Sequence, residues 1–132
     1  MATAAQLVTG VDFVPFSTKD IDRAVDFYGT KLGLPRSRYV PERNYAEFET
    51  GNVTLSLIDG DAMGIGHNLN QTAMALHVDD VAEARAVLEG RGVEFKGDIF
   101  DTGVCHMAFF ADPDGNALML HHRYAPRAAR AD

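Results

Sequence analysis

Residues 14–24, VPFSTKDIDRA, and residues 74–84, MALHVDDVAEA, follow the same pattern of residue types. Each segment begins with large apolar residues at alternate positions, which predicts a β-strand with one buried face. Each segment then reaches an aspartate, Asp20 or Asp80, that is well placed to cap the N-terminus of a helix. The chain therefore contains two similar strand–helix units.

Each unit continues in the same way. Apolar residues recur at helical spacing after each aspartate, and the two helices are predicted to end near Gly33 and near Gly90 or Gly92. Three short segments with strand character follow each helix. They span residues 36–40, 45–49 and 53–58 in the first half, and residues 93–96, 104–111 and 117–122 in the second half. Each half is therefore predicted to be a βαβββ module.

The pattern predicts a single α+β domain built from two tandem βαβββ modules, with a curved mixed sheet around a concave cleft and helices on the outer face. The expected boundaries are about 10–59 for module one, 60–71 for a glycine-rich linker, about 72–123 for module two and 124–132 for the tail. We expect the tail to be frayed or to take part in subunit contacts.

Composition limits the possible functions. The 132 residues are 46% hydrophobic and 23% charged, as in a folded globular protein. The net charge of -7 argues against nucleic acid as a partner, and no apolar run is long enough to cross a membrane. A signal peptide is not evident at the amino end, and the single cysteine, Cys105, cannot form an internal disulfide. We therefore expect a cytoplasmic protein.

Strand alternation divides the residues of four strands into two faces. The face with large apolar side chains is expected to pack against the helices, and it comprises Val14, Phe16, Leu55, Leu57, Met74, Leu76, Val78, Leu118 and Leu120. The opposite face mixes small, sulfur-containing and imidazole side chains, which is typical of a partly open concavity that binds a ligand. Its candidate ligand-binding residues, with one aromatic residue from a third strand, are Phe13, Ser56, Ala73, Ala75, His77, Met119, His121 and Tyr45.

Three motifs occur in order: DIDRAVDFY at 20–28, LGL at 32–34 and FADPDGN at 110–116. With these motifs, the chain resembles the vicinal-oxygen-chelate superfamily of glyoxalases, extradiol dioxygenases, epimerases and bleomycin-resistance proteins over about residues 10–123. The resemblance implies a paired-module fold and, commonly, a homodimer whose subunits complete each other's clefts. It does not define one function, because this fold hosts many chemistries.

Enzymes of that superfamily mostly hold a divalent metal through His and Glu at four strand positions. The resemblance maps these positions onto Phe13, Ser56, Ala73 and Met119. None of these four residues is a usual ligand of a divalent metal, because Phe and Ala have no lone pair and Met favours copper(I). We therefore expect no metal site of the usual kind and no cofactor.

Three hypotheses follow. The first is a metal-free protein that binds or sequesters a small organic molecule in its cleft. The second is a lyase, isomerase or dioxygenase-like enzyme that uses His77 and His121, with or without an unusual divalent metal. The third is an interaction protein whose pocket is filled by its own side chains. Whether the protein is an enzyme stays open at this point.

Other chemistry-bearing residues carry weaker signals. Cys105 and His106 are adjacent on a strand and must point to opposite faces, so they cannot form a nucleophile–base pair, and a buried structural role is expected for Cys105. Phe109 and Phe110 could stack on a planar ligand or pack in the core. His122 is expected on the helix side of its strand.

Overall fold

A computed structural model describes residues 5–127 of the chain. Residues 128–132, which form most of the expected tail, lie outside the described part. The first module runs from a strand through a short helix, a π-helical turn, a 3₁₀ turn and three more strands. Its elements are β1 (Phe13–Ser17), α1 (Ile21–Val25), the π-helical turn (Asp26–Lys31), β2 (Arg36–Val40), the 3₁₀ turn (Pro41–Arg43), β3 (Tyr45–Glu49) and β4 (Thr54–Ile58).

The second module repeats the order of strands and helix, without the π-helical and 3₁₀ turns among the described residues. Its elements are β5 (Met74–His77), α2 (Val81–Gly90), β6 (Phe95–Asp101), β7 (Cys105–Ala111) and β8 (Ala117–Arg123). The strand orders are β1-β4-β3-β2 and β5-β8-β7-β6, and in both sheets only the first pair of strands is parallel. Two tandem βαβββ modules are thus confirmed, and their eight strands form two four-stranded sheets.

Both helices begin at the predicted aspartates. The Asp20 carboxylate accepts a hydrogen bond from the Arg23 backbone N–H at 3.1 Å, and the Asp80 carboxylate accepts one from the Glu83 N–H at 2.9 Å. Gly33 has a φ of +76°, as expected just after a helix end. The helices of the described residues are too short to span a membrane.

The π-helical turn after α1 was not predicted. It carries Phe27 and Tyr28 into the core, and the chain leaves it through a hydrogen bond from the Leu32 N–H to the Phe27 carbonyl at 2.9 Å. Wider hydrogen-bonded turns of this kind shift the following side chains relative to an α-helix. Here, both aromatic rings therefore face the core.

One core unites the two modules. Aromatic rings form a continuous series from Phe48 of β3 through Tyr28 and Phe27 to Phe110 of β7 and Phe95 of β6, with centroid separations of 5.0 to 6.2 Å. All nine residues predicted to face the helices belong to this core or pack against it. We call the opposite face of each sheet its open face. The helix-facing sides of both sheets thus share one core.

One strand differs clearly from its prediction. The expected strand at 93–96 is instead β6, which begins at Phe95 and continues to Asp101. Gly97 has a φ of +70°, and the β6–β7 register shifts between Lys96 and Phe100. This irregularity interrupts the alternation of apolar residues, so the sequence pattern could not show the second half of the strand.

Candidate functional site

The eight predicted binding residues lie on or beside the open faces, three in the first module and five in the second. Phe13, Tyr45 and Ser56 belong to the first group, and Ala73, Ala75, His77, Met119 and His121 belong to the second. Strand register places Ala75 beside Met119 and His77 beside His121 in the second group, but it pairs no two members of the first group directly. Among the described residues, no hydrogen bond, ion pair or ring contact joins the two groups. The second open face therefore has to be considered separately from the first.

The open face of the second sheet carries two cross-strand rows of side chains. In one row Ala75 of β5, Met119 of β8 and Phe109 of β7 are neighbours. The other row runs from His77 through His121 and Met107 to Phe100 of β6. Phe100 is 56% exposed, whereas Met107, Phe109 and Met119 are half-buried. This surface is a platform of rings and thioethers with imidazoles at one end.

Two residues of this platform were missed by sequence reasoning. Phe100 lies in the part of β6 that was not predicted, and Met107 lies opposite His121 on a strand whose faces were not assigned. The sequence left open whether Phe109 and Phe110 stack on a ligand or pack in the core, and the structure separates them. Phe110 is a core residue, whereas Phe109 lies on the open face beside Met119.

The histidines near this platform have different surroundings. The His77 side chain is largely exposed, with its Nε2 atom 3.4 Å from Oδ1 of Asp79. His122 lies on the other side of β8, as expected, with Nδ1 3.1 Å from the Val78 carbonyl oxygen. His77 and His121, which are cross-strand neighbours, are therefore placed to meet a molecule on the open face, whereas His122 is not.

The open face of the first sheet is more polar. Glu47 is the neighbour of Ser56 across β3 and β4, and its carboxylate accepts a hydrogen bond from the Tyr45 hydroxyl at 2.8 Å. Partial burial and this hydrogen bond raise the pKa of Tyr45. The Arg38 guanidinium lies 5.8 Å from the centre of the Tyr45 ring. We had not expected Glu47 here, although its position between buried Ala46 and Phe48 would have placed it on this face.

Ser56 is unusual because its side chain is only 1% exposed although it lies on the open face. Its hydroxyl lies near that of Tyr45, but within residues 5–127 it has no hydrogen-bond partner. A buried hydroxyl without a partner costs free energy, so it is a natural donor or acceptor for a bound molecule. A cavity of about 500 Å³ lies between Tyr45 and Met63 of the linker, and Ser56 is not one of its lining residues.

The four positions that hold a metal in related enzymes do not fit one here. Phe13 and Ala73 provide no donor atom, Met119 is half-buried beside Phe109, and the Ser56 hydroxyl is a weak ligand. Within residues 5–127, no group of three or more His, Cys, Asp or Glu side chains is arranged to hold a metal ion.

Comparison with known proteins defines the class. The sequence model of the glyoxalase/bleomycin resistance protein/dioxygenase superfamily matches residues 10–120. The chain belongs to this superfamily. A curated relative, the uncharacterized protein YraH of Bacillus subtilis (strain 168), is 26% identical over 114 residues, which cover 77% of this chain and 89% of YraH.

Two solved structures illustrate the range of the fold. TnmS3, an antibiotic-binding protein from Streptomyces sp. CB03234, is 25% identical, with a TM-score of 0.75 over 90% of this chain and 99% of TnmS3. A lactoylglutathione lyase from Agrobacterium tumefaciens is 18% identical, with a TM-score of 0.75 over 88% of this chain and 95% of the lyase. The same fold thus occurs in a binding protein and in an enzyme. The residues of the site, and not the fold, must therefore indicate whether this chain binds a molecule or catalyses a reaction.

Proposed function

We propose that this protein binds a small, partly aromatic organic molecule on the open face of its second sheet, without a metal of the superfamily type. The observation that carries the proposal is the platform of Phe100, Met107, Phe109 and Met119, which is incompletely covered in a single chain. Thioethers and aromatic rings contact planar molecules favourably at low conformational cost. The antibiotic-binding activity in the name of TnmS3 is consistent with this ligand class.

We also propose that a second copy of the chain completes the site. Phe13 on the first open face is 55% exposed and Phe100 on the second is 56% exposed. In a homodimer the polar open face with Glu47 and Tyr45 could meet the apolar platform of the partner, which would bury both phenylalanines. Sedimentation is expected to give the mass of two chains, and a monomer at every concentration would contradict this part. The single, buried cysteine is compatible with the cytoplasmic location that we propose.

Ligand binding can be tested with a thermal-shift screen of planar aromatic compounds, neutral and cationic. A ligand that binds only the folded state at a concentration well above its Kd should raise the melting temperature by several degrees. Met119→Lys should abolish this rise because it places a charge in the centre of the platform. The matched control is Ile65→Lys, which adds the same side chain at an exposed linker position. If no compound stabilises the protein, or if Met119→Lys binds as well as the control, the proposal is wrong.

A second candidate function is catalysis by the two histidines. The observation that favours it is the direct pairing of His77 and His121 across β5 and β8 on the open face. An acid–base role requires both imidazoles, so His77→Ala and His121→Ala should each remove turnover but leave binding largely intact. Elemental analysis of protein purified without chelators provides a further criterion. A stoichiometric first-row metal would favour the enzyme, and its absence would leave binding as the function.

A further inference from the structure

The two modules contain equivalent turns between their last two strands. The first turn closes with a hydrogen bond from the Thr50 N–H to the Val53 carbonyl, and the second with one from the Asp112 N–H to the Asn116 carbonyl. The flanking strands have equivalent registers, since Phe48 pairs with Leu55 and Phe110 with Leu118. Internal symmetry therefore equates Thr50 with Asp112 and Val53 with Asn116.

The second turn forms hydrogen bonds with the first module along one boundary between the modules. Asp114 accepts hydrogen bonds from the Thr18 hydroxyl at 2.6 Å and the Lys19 N–H at 3.0 Å. Asn116 donates to the Ser17 carbonyl at 3.0 Å. Polar groups of the second module thus fill the space beside the start of α1.

Among the described residues, the first turn forms no equivalent hydrogen bonds with the second module beside α2. It is one residue shorter, and among the described residues the hydrogen bonds printed for Thr50, Asn52 and Val53 stay within the turn. Across the boundary from the first turn, Val78 occupies the position that is equivalent to Thr18. Leu88 occupies the position that is equivalent to Tyr28. Neither partner can provide a polar contact, so this boundary remains open.

A cavity of about 1000 Å³ occupies the open boundary, which we call the α2 groove. It runs between α2 and β5 on one side and the start of β1 and the first turn on the other. Its floor and walls are mostly apolar and include Val14, Leu32, Leu34, Leu76, Val78 and Leu88. The volume is at the upper end of the range for drug-sized ligands, and Leu88 and Leu120 connect the groove to the core.

The mouth of the groove is acidic. Asp79, Asp80 and Glu83 all border it. The only salt-bridge partner of these carboxylates among the described side chains is His77, which is near Asp79. Three carboxylates outweigh the partial positive charge at the start of α2. The opposite end carries Arg91, which donates to the Lys31 carbonyl at 2.7 Å.

We propose that the α2 groove is a second binding site, for an amphipathic organic cation. An apolar body would lie along Leu32, Val78 and Leu88, and an amine or quaternary ammonium would lie at the mouth beside Asp79 and Glu83. This site is on the helix side of the sheets and adjoins the open-face platform only along the edge strand β5. The acidic mouth of the groove, bordered by Asp79, Asp80 and Glu83, favours a cation as the occupant.

The probe for the test is decyltrimethylammonium, with decyl sulfate and decanol as the anionic and neutral counterparts, all below their micelle-forming concentrations. Calorimetry on the purified protein measures each affinity. The blocking variant is Ala84→Phe, which projects a ring into the groove, and the matched control is Ala86→Phe, which adds the same ring at an exposed position of the same helix. Ala84→Phe should weaken ammonium binding at least about ten-fold, because the ring displaces the apolar body of the probe.

Removing a carboxylate charge at the mouth of the groove should weaken ammonium binding less than Ala84→Phe does. Glu83→Gln and Asp79→Asn should each weaken ammonium binding about two- to five-fold, since exposed ion pairs contribute little. Neither change should affect decanol. Methyl NMR provides a readout that needs no variant, because Met74 lines the groove whereas Met107 and Met119 lie on the open face. The ammonium should shift the Met74 methyl signal and leave the other two unchanged.

Three results would overturn the proposal. One is equal affinity of Ala84→Phe and Ala86→Phe with both variants folded by circular dichroism. Another is an affinity for decyl sulfate that equals or exceeds the affinity for decyltrimethylammonium. The third is a native dimer that Ala84→Phe converts to monomers while no probe shifts Met74, which would assign the groove to a second copy of the chain.

Discussion

The Tyr28 hydroxyl donates a hydrogen bond of 2.7 Å to the carboxylate of Asp112, and this buried contact joins the first module to the second. The Asp112 carboxylate also accepts hydrogen bonds from the Asn116 side chain at 2.8 Å and from the backbone N–H groups of residues 114, 115 and 116. A buried carboxylate with this many donors is fully satisfied, so it stabilises the boundary without leaving an unpaired charge.

Tyr28→Phe should destabilise the protein by about 1.5–3 kcal/mol, the usual contribution of a hydrogen bond to a charged group. Urea denaturation monitored by circular dichroism measures this loss. Tyr39→Phe is the matched control, because the Tyr39 hydroxyl donates to Asp22 at the surface and its loss should have little effect on stability. Equal effects of the two variants would contradict the assignment of Tyr28 as an inter-module contact.

The same tyrosine predicts how stability depends on alkaline pH. Burial, followed by the charge of Asp112, raises the pKa of Tyr28 well above its ordinary value of 10.0. In the unfolded chain this tyrosine ionises at its ordinary pKa, whereas in the folded protein it stays neutral to higher pH. Its contribution to stability is therefore complete below pH 10.0 and is lost as the pH rises above that value.

Chemical denaturation between pH 8 and pH 11 tests whether stability falls with rising pH in this way. Above pH 10.0, the native protein should lose stability more steeply with pH than Tyr28→Phe does. Parallel profiles for the two proteins would show that Tyr28 does not titrate differently on unfolding.

Ser56→Ala should leave stability unchanged or raise it by up to about 1 kcal/mol, because the hydroxyl that it removes is buried and unpaired. The thermal unfolding midpoint is the measurement. Ser17→Ala is a suitable comparison, since Ser17 is also buried on a strand of the first sheet. A loss of more than about 1 kcal/mol in Ser56→Ala alone would reveal a partner for this hydroxyl.

Gly60 at the start of the linker should not tolerate a side chain. A Cβ atom at this position would lie 2.0 Å from the carbonyl oxygen of Gly66, which is backbone and cannot move aside easily. Gly60→Ala should therefore lower the melting temperature by at least several degrees. Gly90→Ala at the end of α2 meets nothing within 4 Å and should be neutral or slightly stabilising. Similar melting temperatures for the two variants would contradict the close approach at Gly60.

Local signals in the sequence were sufficient for most of the fold. Asp20 and Asp80 mark both helix starts because capping depends on a few adjacent residues, and the alternation of Leu55 and Leu57 identifies the helix-facing side of β4. The π-helical turn could not be predicted in this way. It depends on the distant partners of Phe27 and Tyr28, namely Phe110 and Asp112.

The site was predicted less completely, for a similar reason. Alternation placed Met119 and His121 on one face, but the neighbours Met107 and Phe100 require the strand register and a bulge in β6. Which sheet faces share a core is also not encoded in any local pattern. The α2 groove, whose walls come from both modules, was therefore invisible to sequence reasoning.

The position of the second turn has a consequence for synthesis of the chain on the ribosome. Phe27 and Tyr28 of the first module pack against Phe110 and Asp112, so the first module cannot bury its aromatic residues until the chain beyond residue 112 has emerged. The two modules repeat in sequence, but these contacts predict that they do not fold as separate units. A nascent chain that stops at the linker should expose these rings to chaperones, and the native state should form only when the last two strands are available.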